Sequence, residues 1–173
     1  GLQVAGLSCI TNLAAGILQL TGWKCDQPLL DPMCGGATLL VEAAAMARGR
    51  APGLKRAFGF EKLDTFNATL WKRLREEASQ PAQKAPRLQL FGSDADARSL
   101  NAARRNLAAA GVERWVTLEA SDVLKRTAPA DAGVMVANPP YGERIGEAEE
   151  LVRFYPKLGD ALKKNFAGWN CFF

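Results

Sequence analysis

The chain has 173 residues, a formal net charge of +4 and no histidine, and 48% of its residues are hydrophobic. This length and mixture are typical of one globular domain with its own core. No apolar stretch is long enough to cross a bilayer, and the N-terminal residues lack the basic opening and cleavage site of a signal peptide. The four cysteines (Cys9, Cys25, Cys34 and Cys171) have no metal-ligand spacing. We therefore expect a cytoplasmic protein with reduced thiols, no metal site and no membrane contact.

The predicted elements alternate between strand-like and helix-like patterns, which favours an α/β fold with a mostly parallel sheet. A first helix is expected near 12–20, ending at Gly22, and a second has Thr38 as its cap and Gly49 as its stop. Between them, Leu29 and Leu30 form a short buried strand. The later elements are expected to be a helix at 67–78, a loop at 80–87, a strand at 87–94, a helix at 98–110 capped by Asp96 and ended by Gly111, strands at 115–122 and 133–141, a helix at 147–166 broken or kinked near Pro156, and a strand at 168–173. Because no helix follows that last strand, we expect residues 1–173 to be a single, C-terminally truncated domain.

Positive charge is concentrated in an insertion at about 48–87. Between Arg48 and Arg75, eight Lys and Arg residues face two acidic ones, so this segment carries +6 while the rest of the chain is slightly acidic. Four aromatic residues lie among these charges: Phe58, Phe60, Phe66 and Trp71. Basic groups neutralise phosphates and aromatic rings stack on unpaired bases, so the segment is a candidate nucleic-acid contact. A solvated helix surface whose aromatics point into the core is the alternative.

Four loops follow the ends of the predicted strands, where ligands bind in an open α/β sheet. They are D31-P-M-C-G-G-A-T38, G92-S-D94, S121-D122 and N138-P-P-Y141. The first is a glycine turn into a helix, which lets a ligand approach the backbone closely. Asp31 favours a ligand ammonium group over a phosphate, and no Lys-Ser/Thr pair follows the glycines, which argues against a nucleoside-triphosphate loop. A plain turn with Asp31 as a helix cap is the alternative.

Two further carboxylates follow the second and third strands. Asp94 is placed to accept both hydrogen bonds of a ribose diol. It follows Asp31 by 63 residues, far more than the roughly 20 of a dinucleotide-binding fold, and the insertion accounts for the difference. Asp122 is a candidate acceptor for an adenine amino group, although a carboxylate just after a strand is also common without that role.

The N138-P-P-Y141 loop points to chemistry at an exocyclic amine. Two consecutive prolines remove two backbone donors and leave carbonyl acceptors. The Asn138 side-chain oxygen and the Pro139 carbonyl would orient the amine lone pair toward a methyl donor, and Tyr141 can stack on a flipped base. Displacement at a sulfonium needs positioning rather than a strong base, which is compatible with a chain that has no histidine.

Four stretches (LLDPMCGGATLLVEAA, FGSDADAR, ANPPYGERIG and LGDALKKNFAGWN) together closely resemble the catalytic domain of bacterial THUMP-containing 23S rRNA guanine-N2 methyltransferases. The resemblance covers essentially the whole chain, including APGLKRAFGFE in the insertion. It implies a class I, Rossmann-like methyltransferase fold of seven strands, from which the RNA-binding THUMP domain and the last strands are absent here. It also implies an enzyme that transfers a methyl group from S-adenosylmethionine to guanine N2 of large-subunit ribosomal RNA. We expect a monomer.

The candidate site combines these motifs. The expected cofactor-binding residues are Asn12, Asp31, Met33, Gly35, Gly36, Asp94, Asp122 and Asn138, and the expected catalytic residues are Asn138, Pro139, Pro140 and Tyr141. One position departs from the family. The usual loop reads CGSGT, whereas here it is C34-G-G-A-T38, which puts Ala37 where glycine is usual. Either its methyl group crowds the methionine moiety of the cofactor, or Gly36 lets the turn shift.

The motifs do not identify the acceptor on physical grounds. Adenine-N6 DNA methyltransferases and glutamine-N5 methyltransferases use similar residues for an sp² nitrogen, so DNA adenine methylation is an alternative function. A third hypothesis is an RNA-binding module that has the methyltransferase fold but no catalytic activity. Its only support in the sequence is Ala37. The sequence leaves the target nucleotide open.

Overall fold

The computed structural model describes residues 4–49, 51, 56–79, 88–139 and 147–173. In the first and last of these ranges, side chains are described only for residues 12–49 and 151–173. The elements are α1 (Val4–Leu20), β1 (Leu29–Asp31), α2 (Thr38–Ala47), α3 (Ala68–Ser79), β2 (Leu90–Asp94), α4 (Ala97–Ala110), β3 (Val116–Ala120), β4 (Gly133–Val136), α5 (Glu147–Asn165) and β5 (Trp169–Phe172), with short 3-10 turns at Gly59–Lys62 and Glu113–Trp115. Among the helices of these ranges, none combines the length and apolarity that a membrane span requires.

The five strands form one sheet in the order β3-β2-β1-β4-β5, and every neighbouring pair is parallel. β1 is central, since Leu29 pairs with Leu90 of β2 on one side and with Val134 of β4 on the other. The strand order reverses between β1 and β4. The predicted α/β fold with a parallel sheet is therefore confirmed, and its switch point lies beside β1.

The core lies on both faces of the sheet because successive residues of a strand point in opposite directions. Leu29 joins a large apolar cluster with residues of α1, α2 and α4, including Leu18, Leu40 and Leu107. Leu30 is directed to the other face, where it joins Met135, Phe166 and Trp169, with Leu162 of α5 packed against them. Helices thus cover both faces, and strands buried on two sides explain the uninterrupted apolar pairs in the sequence.

Several element boundaries differ from the sequence predictions. Helix α1 begins at Val4, eight residues before the predicted start. Thr38 is the first residue of α2 rather than its cap: Ala37 holds the cap position and makes no side-chain capping bond. The α5 helix continues through Pro156 without a break. The Asp96 cap of α4 is confirmed, because its carboxylate accepts from the Arg98 N–H. The predicted loop at 80–87 lies outside the described residues.

The basic insertion contains an aromatic cluster of Phe58, Phe60, Phe66 and Trp71. The rings of Phe58 and Phe60 stack with centroids 5.4 Å apart, and Trp71 meets both edge-on at 5.6 and 4.9 Å. These rings therefore pack chiefly on one another, which leaves their faces less available to bases than a free stacking platform requires. On α3, the side chains of two cations form exposed (i, i+4) ion pairs, Lys72 with Glu76 and Arg73 with Glu77.

Candidate functional site

The loop after β1 is bonded to the end of β2, so two of the predicted motifs meet at one edge of the sheet. The Cys34 N–H donates to the Ser93 carbonyl at 2.9 Å, and the Ser93 hydroxyl donates to the Pro32 carbonyl at 3.3 Å. The Gly35 N–H donates to Asp94 Oδ2 at 2.9 Å. These bonds join residues about 60 positions apart and fix the glycine turn against β2.

Asp94 is held by backbone donors on both oxygens. Oδ2 accepts from the Gly35 N–H, and Oδ1 accepts from the Asp96 N–H at 2.9 Å. A carboxylate has about four lone-pair positions, so each oxygen can still accept one more bond. Gly35 itself has φ +50°, and a Cβ built there would meet nothing within 4 Å. The turn therefore faces open space beside a carboxylate of fixed orientation.

Asp31 is a buried carboxyl at the end of β1, with 2% of its surface exposed. Burial raises the pKa of Asp31 to about 7; the hydrogen bond from the Met33 N–H, at 3.2 Å, opposes this, and the nearby Asp94 charge adds to it. A cation bound beside Asp31 would favour its ionised form. The described contact between Met33 and Asp31 is this bond from the Met33 backbone N–H.

The Cys34 thiol lies in the same turn and is also buried. Burial, followed by the charges of Asp31 and Asp94, raises the pKa of Cys34 to about 12. The thiol therefore stays protonated at neutral pH, and Cys34 is unsuited to act as a thiolate nucleophile.

Ala37, which stands where glycine is usual in the family, has an unusual backbone conformation. It adopts φ 62° and ψ 29°, a left-handed conformation that glycine enters more readily, and it is fully buried. Gly36 is outside the left-handed region; its carbonyl accepts from Asn106 Nδ2 at 2.9 Å, and a Cβ on Gly36 would lie 3.0 Å from that nitrogen. Ala37 itself therefore takes a left-handed conformation in this turn, and Gly36 does not.

The loop after β3 lies next to the end of β2. The Ser121 N–H donates to the Asp94 carbonyl at 3.1 Å, and Asp122 follows immediately. The Asp122 carboxylate accepts from the Leu124 N–H at 2.9 Å, which closes a tight turn and fixes the carboxylate direction. Arg126, two residues further, is buried and forms an ion pair with Glu119. Asp122 is thus held at the same edge as Asp94.

The acceptor motif begins on the other side of β1. Asn138 follows β4, the strand paired with β1, and its side chain is exposed, whereas Pro139 is buried. Pro140 and Tyr141 lie outside the described residues. Asn12 lies on α1 with an exposed side chain, and within the described ranges no hydrogen bond joins it to the loops of this edge.

Three residues outside the expected cofactor-binding and catalytic residues support the site: Ser93, Asn106 and Gly92. Ser93 and Asn106 bond the turn through contacts that span 61 and 70 residues, which leave no local sequence signal. A Cβ at Gly92 would lie 2.6 Å from Leu40 and 2.8 Å from Leu118, so glycine lets α2 pack closely on β2. An isolated glycine inside a strand pattern is a signal for such an approach.

The chemistry of this edge is that of a polar ligand site. Asp31, Asp94 and Asp122 offer oxygen acceptors, and the glycine turn offers close backbone approach. In the part of the chain that the structure describes, no three His, Cys, Asp or Glu side chains form a group that could hold a metal ion. The arrangement suits a ligand that carries a cation and hydroxyl groups.

Most of this chain is similar in sequence to ribosomal RNA methyltransferases of other bacteria. It is 44% identical over 163 residues to the ribosomal RNA large subunit methyltransferase K/L of Shewanella baltica, and 45% identical over 163 residues to that of Vibrio campbellii. Both matches cover 91% of this chain but only 23% of the relative. The chain therefore spans about a quarter of the length of these proteins.

Solved structures give the same fold. The SMU.472 protein, described as a methyltransferase and solved in complex with SAH, superposes with a TM-score of 0.84 at 33% identity over 93% of this chain and 42% of its own. A structure described as a predicted N6-adenine-specific DNA methylase from Listeria monocytogenes superposes at 0.82, with 34% identity and the same coverage. The fold is thus the class I methyltransferase fold. Residues 5–173 match the family described as RMKL-like, methyltransferase domain, and the chain belongs to that family.

Proposed function

We propose that this chain binds S-adenosylmethionine at the carboxyl edge of its sheet and transfers the methyl group to the exocyclic N2 of a guanine in 23S ribosomal RNA. The bond between the Gly35 N–H and the Asp94 carboxylate carries the proposal, because it joins the glycine turn and the acidic strand end in one site. The names of the Shewanella and Vibrio relatives support the ribosomal RNA target.

The residues present fit the cofactor. Its ribose diol would meet the two oriented oxygens of Asp94, which keep free lone pairs. Its ammonium group would lie near Asp31, whose pKa of about 7 leaves a substantial ionised fraction at neutral pH. Asp122 would accept from the adenine amino group. The space beside Gly35, where an added Cβ would meet nothing within 4 Å, would leave room for the methionine moiety, and SMU.472, which has the same fold, was solved with SAH.

The acceptor amine is oriented by Asn138 and Pro139. When bound, the cofactor supplies an electrophilic methyl group on a sulfonium. The Asn138 side-chain oxygen and the Pro139 carbonyl would accept the two N–H bonds of the exocyclic amine and direct its lone pair across the switch point between β4 and β1. By the motif alone, Pro140 would remove a backbone donor and Tyr141 would stack on the base.

No residue of the site needs to act as a strong base. The chain has no histidine, and the Cys34 thiol stays neutral because burial raises its pKa to about 12. The amine proton can leave after transfer, when the nitrogen carries the positive charge. Rate enhancement would then come from positioning two reactants at one edge.

The organisation of the whole protein is part of this proposal. We infer that residues 1–173 are one catalytic domain with a basic insertion, that a THUMP domain and further strands belong to the longer protein, and that it acts in the cytoplasm, where bacterial ribosomal RNA is modified. The matched region is 23% of the length of the Shewanella relative, so the rest of that protein is long enough to hold a THUMP domain and further strands.

Adenine N6 of DNA is the second candidate acceptor, and the name of the Listeria structure favours it. A methyl-transfer assay with labelled S-adenosylmethionine separates the two, using protein-free 23S ribosomal RNA and unmethylated DNA as parallel substrates. Label in guanine N2 of the RNA supports the proposal. Label in DNA adenine would overturn the proposed acceptor. SAH binding without transfer to either substrate would overturn the proposed catalytic activity.

The role of Asn138 is tested in the same assay. We expect Asn138→Ala to abolish methyl transfer and to leave the SAH dissociation constant within about threefold, because one acceptor of the amine is lost. Asn101→Ala is the matched control, since Asn101 is an exposed asparagine on α4 whose described bond is to Arg104. Turnover of the Asn138 variant at the rate of the control would contradict the assignment.

A further inference from the structure

The opposite edge of the sheet carries two arginines on one tryptophan. The Arg48 guanidinium lies over the Trp115 ring with its Cζ 4.5 Å from the ring centroid, and the Arg114 guanidinium lies over the same ring at 4.0 Å. Arg48 follows the last turn of α2, and Trp115 ends the 3-10 turn before β3. Both positions lie at the amino ends of strands, away from Asp31 and Asp94.

Within the described residues, this arrangement concentrates positive charge without an ion-pair partner. The two guanidinium carbons are at most about 8.5 Å apart, because both lie over one ring. Among the described residues, neither side chain forms an ion pair with a carboxylate, whereas Lys72, Arg73, Arg98 and Arg126 all do. Glu113, the neighbouring acidic residue, makes no described ion pair with them. Two cations within this distance attract an anion more strongly than either one alone.

The ring holds the two guanidinium groups in place. Stacking on tryptophan is attractive through the ring quadrupole, and it leaves the in-plane N–H donors of arginine free. Trp115 is half-buried and packs against the main core, whereas Arg114 is exposed to solvent. Stacking on Trp115 thus restrains both guanidinium groups, and arginine N–H donors left free in the plane of the group can bind phosphate oxygens bidentately.

We propose that Arg48, Arg114 and Trp115 form a second contact for the phosphate backbone of the RNA substrate, an inference that rests on the proposed function. The five residues of β3 separate this contact from the catalytic edge by about 16 Å at a rise near 3.3 Å per residue. A folded RNA can span that distance, so one substrate would engage both edges. The contact positions RNA and reads no bases.

The test is RNA binding as a function of salt. A fluorescein-labelled single-stranded RNA of about 16 nucleotides serves as the probe, followed by anisotropy from about 50 to about 200 mM KCl. We expect the pair Arg48→Gln and Arg114→Gln to weaken binding about tenfold at the lower salt, and to reduce the slope of log K against log salt by about 1.4, because two phosphate contacts are lost.

Two controls distinguish phosphate binding from a structural effect. Arg153→Gln with Lys157→Gln removes two exposed charges from α5, and we expect the slope to change little. Arg48→Lys with Arg114→Lys keeps both charges, and we expect it to keep most of the slope. The inference would be overturned if the Arg48→Lys and Arg114→Lys variant lost as much affinity and slope as the glutamine variant. It would also be overturned if the Arg153→Gln and Lys157→Gln variant did so.

The outcomes also separate this inference from the proposed function. Wild-type RNA binding that the glutamine pair retains refutes the Arg48–Arg114 contact alone. Failure of the wild-type chain to bind RNA refutes the contact and the RNA target together, while SAH calorimetry on the same sample still reports the cofactor site. Tighter binding of polyglutamate than of RNA would overturn the contact in favour of an acidic protein partner.

Discussion

Replacing Asp94 by asparagine tests the site at its most connected residue. The carboxylate accepts the Gly35 N–H on one oxygen and the Asp96 N–H on the other, both at 2.9 Å. Asparagine has nearly the same volume but only one oxygen, so its NH₂ group would face one of these donors. The asparagine oxygen can stay on the part-buried Gly35 N–H and leave the exposed Asp96 N–H to water, so we expect the free energy of unfolding to fall by about 1 kcal/mol.

The same substitution is expected to weaken cofactor binding. The carboxylate offers an acceptor to each ribose hydroxyl, whereas the amide of an asparagine side chain would offer only one. Loss of one charge-assisted hydrogen bond costs about 1.5–3 kcal/mol, which corresponds to an increase of about 10- to 150-fold in the SAH dissociation constant. Calorimetry at 25 °C measures the constant, and urea unfolding measures the stability of the same preparation.

Asp96→Asn is the matched control for this experiment. Asp96 lies two residues away, is exposed and caps α4 through the Arg98 N–H and the Ser99 hydroxyl. Asparagine caps helices about as well as aspartate, so neither stability nor SAH affinity should change appreciably. A folded Asp94→Asn protein that binds SAH within about threefold of wild type would refute the assignment of Asp94 to the ribose.

Three further predictions concern the surroundings of Asp94. Gly92→Ala should lower the free energy of unfolding by about 1–3 kcal/mol, because the new Cβ would lie 2.6 Å from Leu40; an unchanged urea midpoint would refute the close packing. Asn106→Ala should cost about 1 kcal/mol, since the Gly36 carbonyl loses its donor, and an unchanged free energy would show that the bond contributes nothing. Burial raises the pKa of Asp31 to about 7 from an ordinary value near 4, so between these pH values the folded state holds a proton that the unfolded chain releases. The free energy of unfolding should therefore fall from pH 4 to 7. SAH affinity should rise through pH 7, because the carboxylate that binds the ligand ammonium group then ionises. Asp31→Asn should flatten both profiles, and a pH-dependent affinity that persists in this variant would refute the role of Asp31.

Much of the fold is predictable from local patterns, because each strand and helix carries its own signal. The apolar pair Leu29–Leu30 predicted a short buried strand, which the structure confirms. Helix starts were less predictable. Thr38 has a good capping side chain, but the left-handed Ala37 takes the cap position, since the turn is fixed by its bonds to β2.

The site is predictable in its residue types but not in its bonding. A glycine turn followed by an acidic strand end suggests a ligand edge, and the parallel sheet then brings the two together. Nothing local indicates that Asp94 accepts from Gly35, 59 residues away, or that Asn106 reaches the Gly36 carbonyl. Such contacts depend on the register between β1 and β2, which a single sequence does not show.

The doubly braced Asp94 carboxylate also has a kinetic consequence. Its two oxygens are already aimed before any ligand arrives, so binding need not wait for a loop to rearrange, and little ordering entropy remains to be lost. Association at this edge should then follow a single exponential whose rate grows linearly with ligand concentration, without the plateau of a preceding conformational step. Differences in affinity among ligands that share the ribose would accordingly appear in how fast they leave.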